Sequence, residues 1–239
     1  MSMQSPLLAL QGVHAHYGKS HILHGIDLTV GRGEVVSLLG RNGAGRSTTM
    51  KSIMGLVDVT GGRIAIEGRD ITNKRPFEIA RAGLGFVPEE REVFANLTVD
   101  ENLRMGEQPV RPDAPAWTIE QMFGYFPRLK ERRNTRAGNL SGGEQQMLTM
   151  CRSLLGNPKV MLIDEPTEGL APKIVEVIAD VIRDIHQRGV SVVLVEQKLT
   201  IALKVSTRVS VMGHGRIVFE GPPAQLHERQ DVVQEWLAV

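Results

Sequence analysis

The feature that most constrains this chain is a short apolar run that feeds a glycine-rich loop. Residues 34–39, Glu-Val-Val-Ser-Leu-Leu, read as a buried strand and run directly into Gly40-Arg41-Asn42-Gly43-Ala44-Gly45-Arg46-Ser47-Thr48. The pattern is G-x-x-x-x-G-R-S, one residue away from the G-x-x-x-x-G-K-[ST] loop that wraps phosphates. Glycines let backbone N–H groups turn inward toward an anion, and a helix over about Arg46 to Met54 adds its positive dipole end. Ser47 offers a hydroxyl to Mg²⁺ and Thr48 a further phosphate contact. Arg46 stands at the lysine position. Arginine keeps the charge and can bond phosphate through parallel N–H groups, but it is bulkier and not a point charge. Its presence leaves normal, slow and absent hydrolysis all open.

The rest of the chain supplies an α/β setting for that loop. Residues 160–163 and 191–196 are further short runs rich in Val, Ile and Leu, the pattern of buried parallel strands. Between them, residues 173–188 carry Ile174, Val177, Ile178, Val181, Ile182 and Ile185 at helix spacing, with Gly189 as a C-cap. Strand, helix and strand make a βαβ unit. Residues 6–35 and 60–70 look like short strands with glycine turns, an antiparallel patch beside the core. Residues 96–157 lack strand runs and read as a helical subdomain, with the proline-bearing stretch 108–117 as its flexible loop. The expectation is one domain over 1–239.

Composition excludes several classes. The 239 residues are 41% hydrophobic and 23% charged, with a net charge of +1 and one cysteine. Near-neutral charge argues against non-specific nucleic-acid binding. A single cysteine rules out an intrachain disulfide. No apolar run approaches the roughly 20 residues of a membrane span, and the N-terminus lacks a signal-peptide pattern. A cytosolic chain is expected, with membrane attachment only through a partner. His14 and His16 share a strand face, but no carboxylate or cysteine pattern completes a metal site with them. The run Arg128, Lys130, Arg132, Arg133 and Arg136 reads as a solvated face, and Cys151 as a small buried apolar residue.

Two more motifs follow the loop in order. Leu140-Ser141-Gly142-Gly143-Glu144-Gln145-Gln146 places Ser141 as the cap of a helix whose first turn is glycine-rich. Val160-Met161-Leu162-Ile163-Asp164-Glu165-Pro166 is a buried strand ending in two carboxylates: Asp164 suited to Mg²⁺ and Glu165 to polarising an attacking water. An apolar strand ending in Asp-Glu is common by itself; the three motifs in this order are specific. The chain resembles the ATP-binding subunits of ABC transporters over nearly its whole length. VPEEREVFANLTVDENL, DEPTEGLAP and VLVEQ resemble more narrowly the shorter of the two ATPase subunits of branched-chain amino-acid importers.

That resemblance implies a P-loop NTPase core with a parallel sheet, an antiparallel β subdomain and an α-helical subdomain at about 96–157. It implies ATP and Mg²⁺ on residues 40–48, with metal contacts from Ser47, Glu89 and Asp164. Tyr17 matches the residue that stacks on adenine, though an ordinary half-buried tyrosine reads the same way. Ser141, Gly142 and Gly143 match the signature that closes on nucleotide held by a second subunit, and Glu168-Gly169-Leu170-Ala171 matches the loop crossing that interface. Catalysis falls to Glu165, with Glu89 at the usual Q-loop glutamine and Gln197 at the usual switch histidine. Glutamine there can donate a hydrogen bond but cannot relay a proton; Glu89 also reads as a plain loop charge. The implied partners are a second, similar ATPase subunit in a heterodimer, transmembrane permease subunits and, indirectly, a substrate-binding protein, with no nucleic acid. The implied place is the inner face of the cell membrane. Two rivals stay compatible with the residues: a regulatory ATP-binding subunit whose hydrolysis Arg46 impairs, and a soluble ABC-type ATPase outside transport.

Overall fold

The computed structural model describes residues 5–111 and 114–238. Its strands, in chain order, are β1 Leu8–Tyr17, β2 Ser20–Val30, β3 Val35–Leu39, β4 Val59–Ile66, β5 Arg69–Asp70, β6 Leu84–Val87, β7 Val160–Asp164, β8 Ser191–Val195, β9 Arg208–Gly213 and β10 Arg216–Gly221. The helices are α1 Arg46–Ile53, α2 Pro76–Ala82, α3 Val99–Gly106, α4 Ile119–Tyr125, α5 Pro127–Glu131, α6 Gly142–Leu154, α7 Pro172–Gln187, α8 Leu199–Val205, α9 Pro223–Glu228 and α10 Gln230–Trp236.

Six strands form one sheet in the order β10-β9-β3-β8-β7-β6, parallel except for the β9–β10 hairpin. Every residue of β3, β7 and β8 is buried, as strands covered on both faces must be. Helices α6 and α7 cover one face, where Met147, Leu148 and Cys151 pack with Ile178, Ile182, Ile185, Met161 and Leu194. Burial pushes the Cys151 thiol pKa upward and leaves it an inert apolar filler.

The other face is closed by the second sheet, four antiparallel strands in the order β2-β1-β4-β5. Leu10, Val13, Leu23 and Ile26 from that sheet share a buried cluster with Val36, Leu38, Met50 and Ile53. The small sheet therefore lies against β3 and α1, the two elements that flank the glycine loop.

The described residues of the stretch 107–118 are irregular, with Pro109 and Pro115 among them, but they are tied down more firmly than expected. Arg111 donates to the carbonyls of Gly156 (2.5 Å), Asn157 (2.7 Å) and Ala80 (2.9 Å), and Trp117 is buried with its backbone N–H on the Asn157 side-chain oxygen. Three carbonyls satisfied by one guanidinium replace the bonds that a regular element would supply; residues 112 and 113 lie outside the described residues. The basic run is a solvated, paired face: Arg128 meets Glu131, Lys130 meets Glu120, Arg132 meets Glu144 and Arg133 meets Asp100.

Candidate active site

The end of β3 opens into an irregular turn that only glycine accommodates at two points. Gly40 has φ 149°, and a Cβ there would lie 2.5 Å from the Met212 carbonyl. Gly45, the N-cap of α1, has φ 103°, and a Cβ would press on Leu23 at 2.9 Å. No side chain caps α1 and no acidic residue sits in its first turn. Its unsatisfied N–H groups and dipole are thus left for an external anion. The carbonyl of Ala44, on the far side of the loop, accepts from Gly215 N–H at 3.0 Å.

Facing that helix end is the carboxyl end of β7. Ser47 Oγ donates to Asp164 Oδ1 at 3.2 Å. Burial pushes the Asp164 carboxyl up to about 6, although the Ser47 bond opposes it. Glu165 follows in a left-handed conformation, φ 44°, which is costly for a residue with a Cβ and places its carboxylate over the loop. Arg46, only 4% exposed, donates from one Nη to both Asn42 Oδ1 (3.1 Å) and Glu165 Oε1 (3.0 Å). Its other Nη is buried without a hydrogen-bond partner. A buried donor left unmet is costly, and here it sits in the wall of the cleft.

The second Glu165 oxygen accepts from Gln197 Nε2 at 2.5 Å. Glu196 fixes Gln197: its Oε1 accepts the backbone N–H groups of Gln197 and Lys198, both at 2.9 Å, and its Oε2 accepts the Thr167 hydroxyl at 2.7 Å. Glu89, Glu165 and Glu168 bring carboxylate oxygens within 4.8 Å of one another. Burial raises the carboxyl pKa values of Glu89 and Glu165, and the neighbouring acids add to it; Arg46 and Gln197 pull Glu165 back down. The Ser47 hydroxyl and these carboxylates are all hard oxygen donors, the set that Mg²⁺ prefers. One open cleft is lined by Ile22, Asn42, Gly43, Gly45, Arg46, Ser47, Thr48, Glu89, Glu165, Glu168 and Gln197.

Residues 23–168 match the ABC transporter family. The chain belongs to that family. It is 42% identical, over 92% of its length and 94% of the relative's, to the high-affinity branched-chain amino acid transport ATP-binding protein BraG of Pseudomonas aeruginosa. It is 35% identical, over 91% and 93%, to the probable branched-chain amino acid transport ATP-binding protein LivF of Archaeoglobus fulgidus. Among solved structures it is similar to a nucleotide-free ATP-binding cassette from an ABC transporter, with a TM-score of 0.82, 27% identity and 97% and 96% coverage. The P-loop NTPase α/β fold is that of the ABC cassettes.

Within this ABC cassette the remaining expected residues separate into two places. Tyr17 ends β1, is 50% exposed and does not line the cleft, whereas Ile22 of the next strand does. Ser141, Gly142 and Gly143 also lie outside its lining, at the start of α6. There Arg91 reaches across: its Nη2 donates to the Glu168 carbonyl at 2.8 Å, and its Nη1 occupies the space a Gly142 Cβ would need. Gly40, Arg41, Asn42, Gly43, Ala44 and Thr48 all sit in the loop or first turn as expected. Sequence reasoning missed Glu196, which positions Gln197; its only signal was a carboxylate adjoining a motif. Glu168 and Asn42 were expected in the interface loop and the phosphate loop, but not as the third carboxylate of the acidic group or as the side chain that holds Arg46.

Among the described residues no helix is long and apolar enough to cross a membrane.

Proposed function

We propose that this chain is the ATP-binding and ATP-hydrolysing subunit of an importer for branched-chain amino acids or related small polar or aromatic solutes. The observation that carries the hydrolytic part is Glu165, held between Arg46 and Gln197 at the mouth of the phosphate cleft. The importer part rests on 42% identity along almost the whole of both chains.

In this reading the open N-terminus of α1 and the free Nη of Arg46 bind the phosphate chain, with Ser47 and Thr48 at its edge. Ser47, Asp164 and Glu89 hold Mg²⁺, which when bound neutralises charge developing on the transferred phosphoryl group. Glu165, its pKa raised by burial, accepts the proton of the attacking water, and Gln197 fixes the carboxylate's direction. Tyr17 stacks on adenine. Ser141, Gly142 and Gly143 act on nucleotide in a second ATPase subunit, so each chain owns two half-sites. A heterodimer with a similar subunit accommodates Arg46 if the partner keeps lysine. Residues 1–239 are one ABC ATP-binding domain. Its helical subdomain at about 96–157 and the loop after Glu89 dock on transmembrane permease subunits at the inner face of the membrane. A substrate-binding protein is reached only through them, and no nucleic acid is involved.

Calorimetric titration of ATP in the presence of Mg²⁺ tests the binding step. The expected result is saturable heat that Ser47→Ala weakens when Mg²⁺ is present; no heat at millimolar ATP rejects the reading. A second reading, an ATP-binding regulatory subunit, is favoured by one observation: the Arg46–Glu165 pair ties up the proposed base. In that case the assembled wild-type complex draws no turnover from this chain, and Arg46→Lys restores it.

A further inference from the structure

Four of the chain's seven histidines, His14, His16, His21 and His24, come together on one face of the β1–β2 hairpin. Strict alternation would set His21 and His24 on opposite faces, because they are three positions apart. A bulge changes that: His24 pairs with His14, Leu23 with Ala15, and His21 with His16, leaving Ile22 as the extra residue. We propose that this four-histidine face binds a borderline divalent transition metal of the Zn²⁺ class, at a site separate from the nucleotide cleft.

Three features support a built site rather than scattered surface rings. First, two nitrogens already converge: His14 Nδ1 and His21 Nε2 are 3.0 Å apart. An ion at the usual Zn–N distance of about 2.0–2.1 Å from both would subtend an angle of about 95°. The His16 ring stacks on His21 with centroids 4.1 Å apart, and the His24 ring lies 3.9 Å from His21 on a tilt; His16 Nδ1 rests 2.9 Å from Thr60 Oγ1 and must turn from it to ligate.

Second, glycines on neighbouring segments make room for the rings. A Cβ on Gly25 would lie 3.3 Å from His14 Nε2, one on Gly61 would lie 3.4 Å from His14 Cδ2, and one on Gly215 would lie 2.7 Å from His24 Cδ2.

Third, the donor set is imidazole alone, the commonest side-chain ligand of such metals. Imidazole nitrogens without carboxylates select zinc, nickel or copper over magnesium, which distinguishes this face from the acidic cleft. The two places are joined through the backbone. His24 N–H donates to Gly215 O at 2.8 Å, and Gly215 N–H donates to Ala44 O in the phosphate loop at 3.0 Å.

The test is a Zn²⁺ titration of the full chain against a chromophoric chelator, with millimolar Mg²⁺ present to saturate the carboxylates. One Zn²⁺ per chain is expected. His14→Gln and His21→Gln should each weaken it by at least an order of magnitude, while His227→Gln, on α9, leaves it unchanged. Co²⁺ substitution should give ligand-field bands that both affected variants lose. Unchanged thermal unfolding without metal shows that the variants still fold. No Zn²⁺ uptake, or uptake that the His14/His21 double variant leaves intact, overturns the proposal.

Discussion

The starts of α1 and α6 are built from the same ingredients and end in different states. A glycine-rich loop precedes α1, and two glycines open α6. Gly45 begins α1 in a left-handed conformation with no side-chain cap, and the carboxylates nearby face it across the cleft. Ser141 begins α6 with a complete capping box. Its hydroxyl accepts the Glu144 N–H, while Glu144 Oε2 accepts the Ser141 N–H at 2.9 Å and the Ser141 hydroxyl at 2.7 Å. One helix end is left open to an anion from outside the helix; the other already holds a carboxylate from its own first turn.

The largest effect expected from this contrast is catalytic. Glu165→Gln should lower turnover by about 100-fold or more, the scale of a general base, while ATP binding persists. Steady-state assays beside nucleotide titration check this; an unchanged rate would shift the role to Glu89 or Gln197.

Matched glycine substitutions come next. Gly45→Ala forces a Cβ into φ 103° and onto Leu23. It should cost about 1–3 kcal/mol of stability, the usual cost of such backbone strain, and nucleotide binding with it. At Gly143 a Cβ would meet Leu170 at an ordinary 3.7 Å. Gly143→Ala should leave thermal unfolding near wild type or slightly improved but reduce turnover in the assembled complex. Equal destabilisation at both positions would remove the contrast.

A smaller effect is set by pH. Burial pushes the Asp164 carboxyl up to about 6, against about 3.9 in an unfolded chain. Between these values the folded state holds more protons, so stability falls as pH rises through the window. The cost is fully present above about pH 6 and absent below about pH 4. Asp164→Asn should therefore stabilise the nucleotide-free protein by on the order of 1–3 kcal/mol at pH 7.5 and do nothing at pH 4. Denaturant unfolding at the two pH values reads it. A gain that does not depend on pH would assign the effect to packing instead.

Strands β3, β7 and β8 were legible because they are buried on both faces and read as unbroken apolar runs. The same logic failed for β6, four residues with a glycine and two half-buried positions, for β9, whose apolar run is interrupted by Arg208 and Ser210, and for β10, whose exposure alternates. At the site, residues carried by a local motif were readable: the loop glycines, Ser47, Asp164 and Glu165. Glu196 was not, nor were the contacts of Glu168 with the other carboxylates and of Asn42 with Arg46, because these arise only once β7, β8 and the loop are side by side. The histidine face escaped for another reason: a bulge breaks the two-residue period on which strand reading depends.

The central claim is that the open end of α1 and the self-capped end of α6 make one active site only across two chains. ATPase activity per subunit, followed as this chain is diluted alone and with its candidate partner ATPase and permease subunits, tests it most directly. The account predicts negligible turnover by the dilute single chain and strong, concentration-dependent turnover on assembly. Full turnover by the isolated chain, unchanged on dilution, would contradict it.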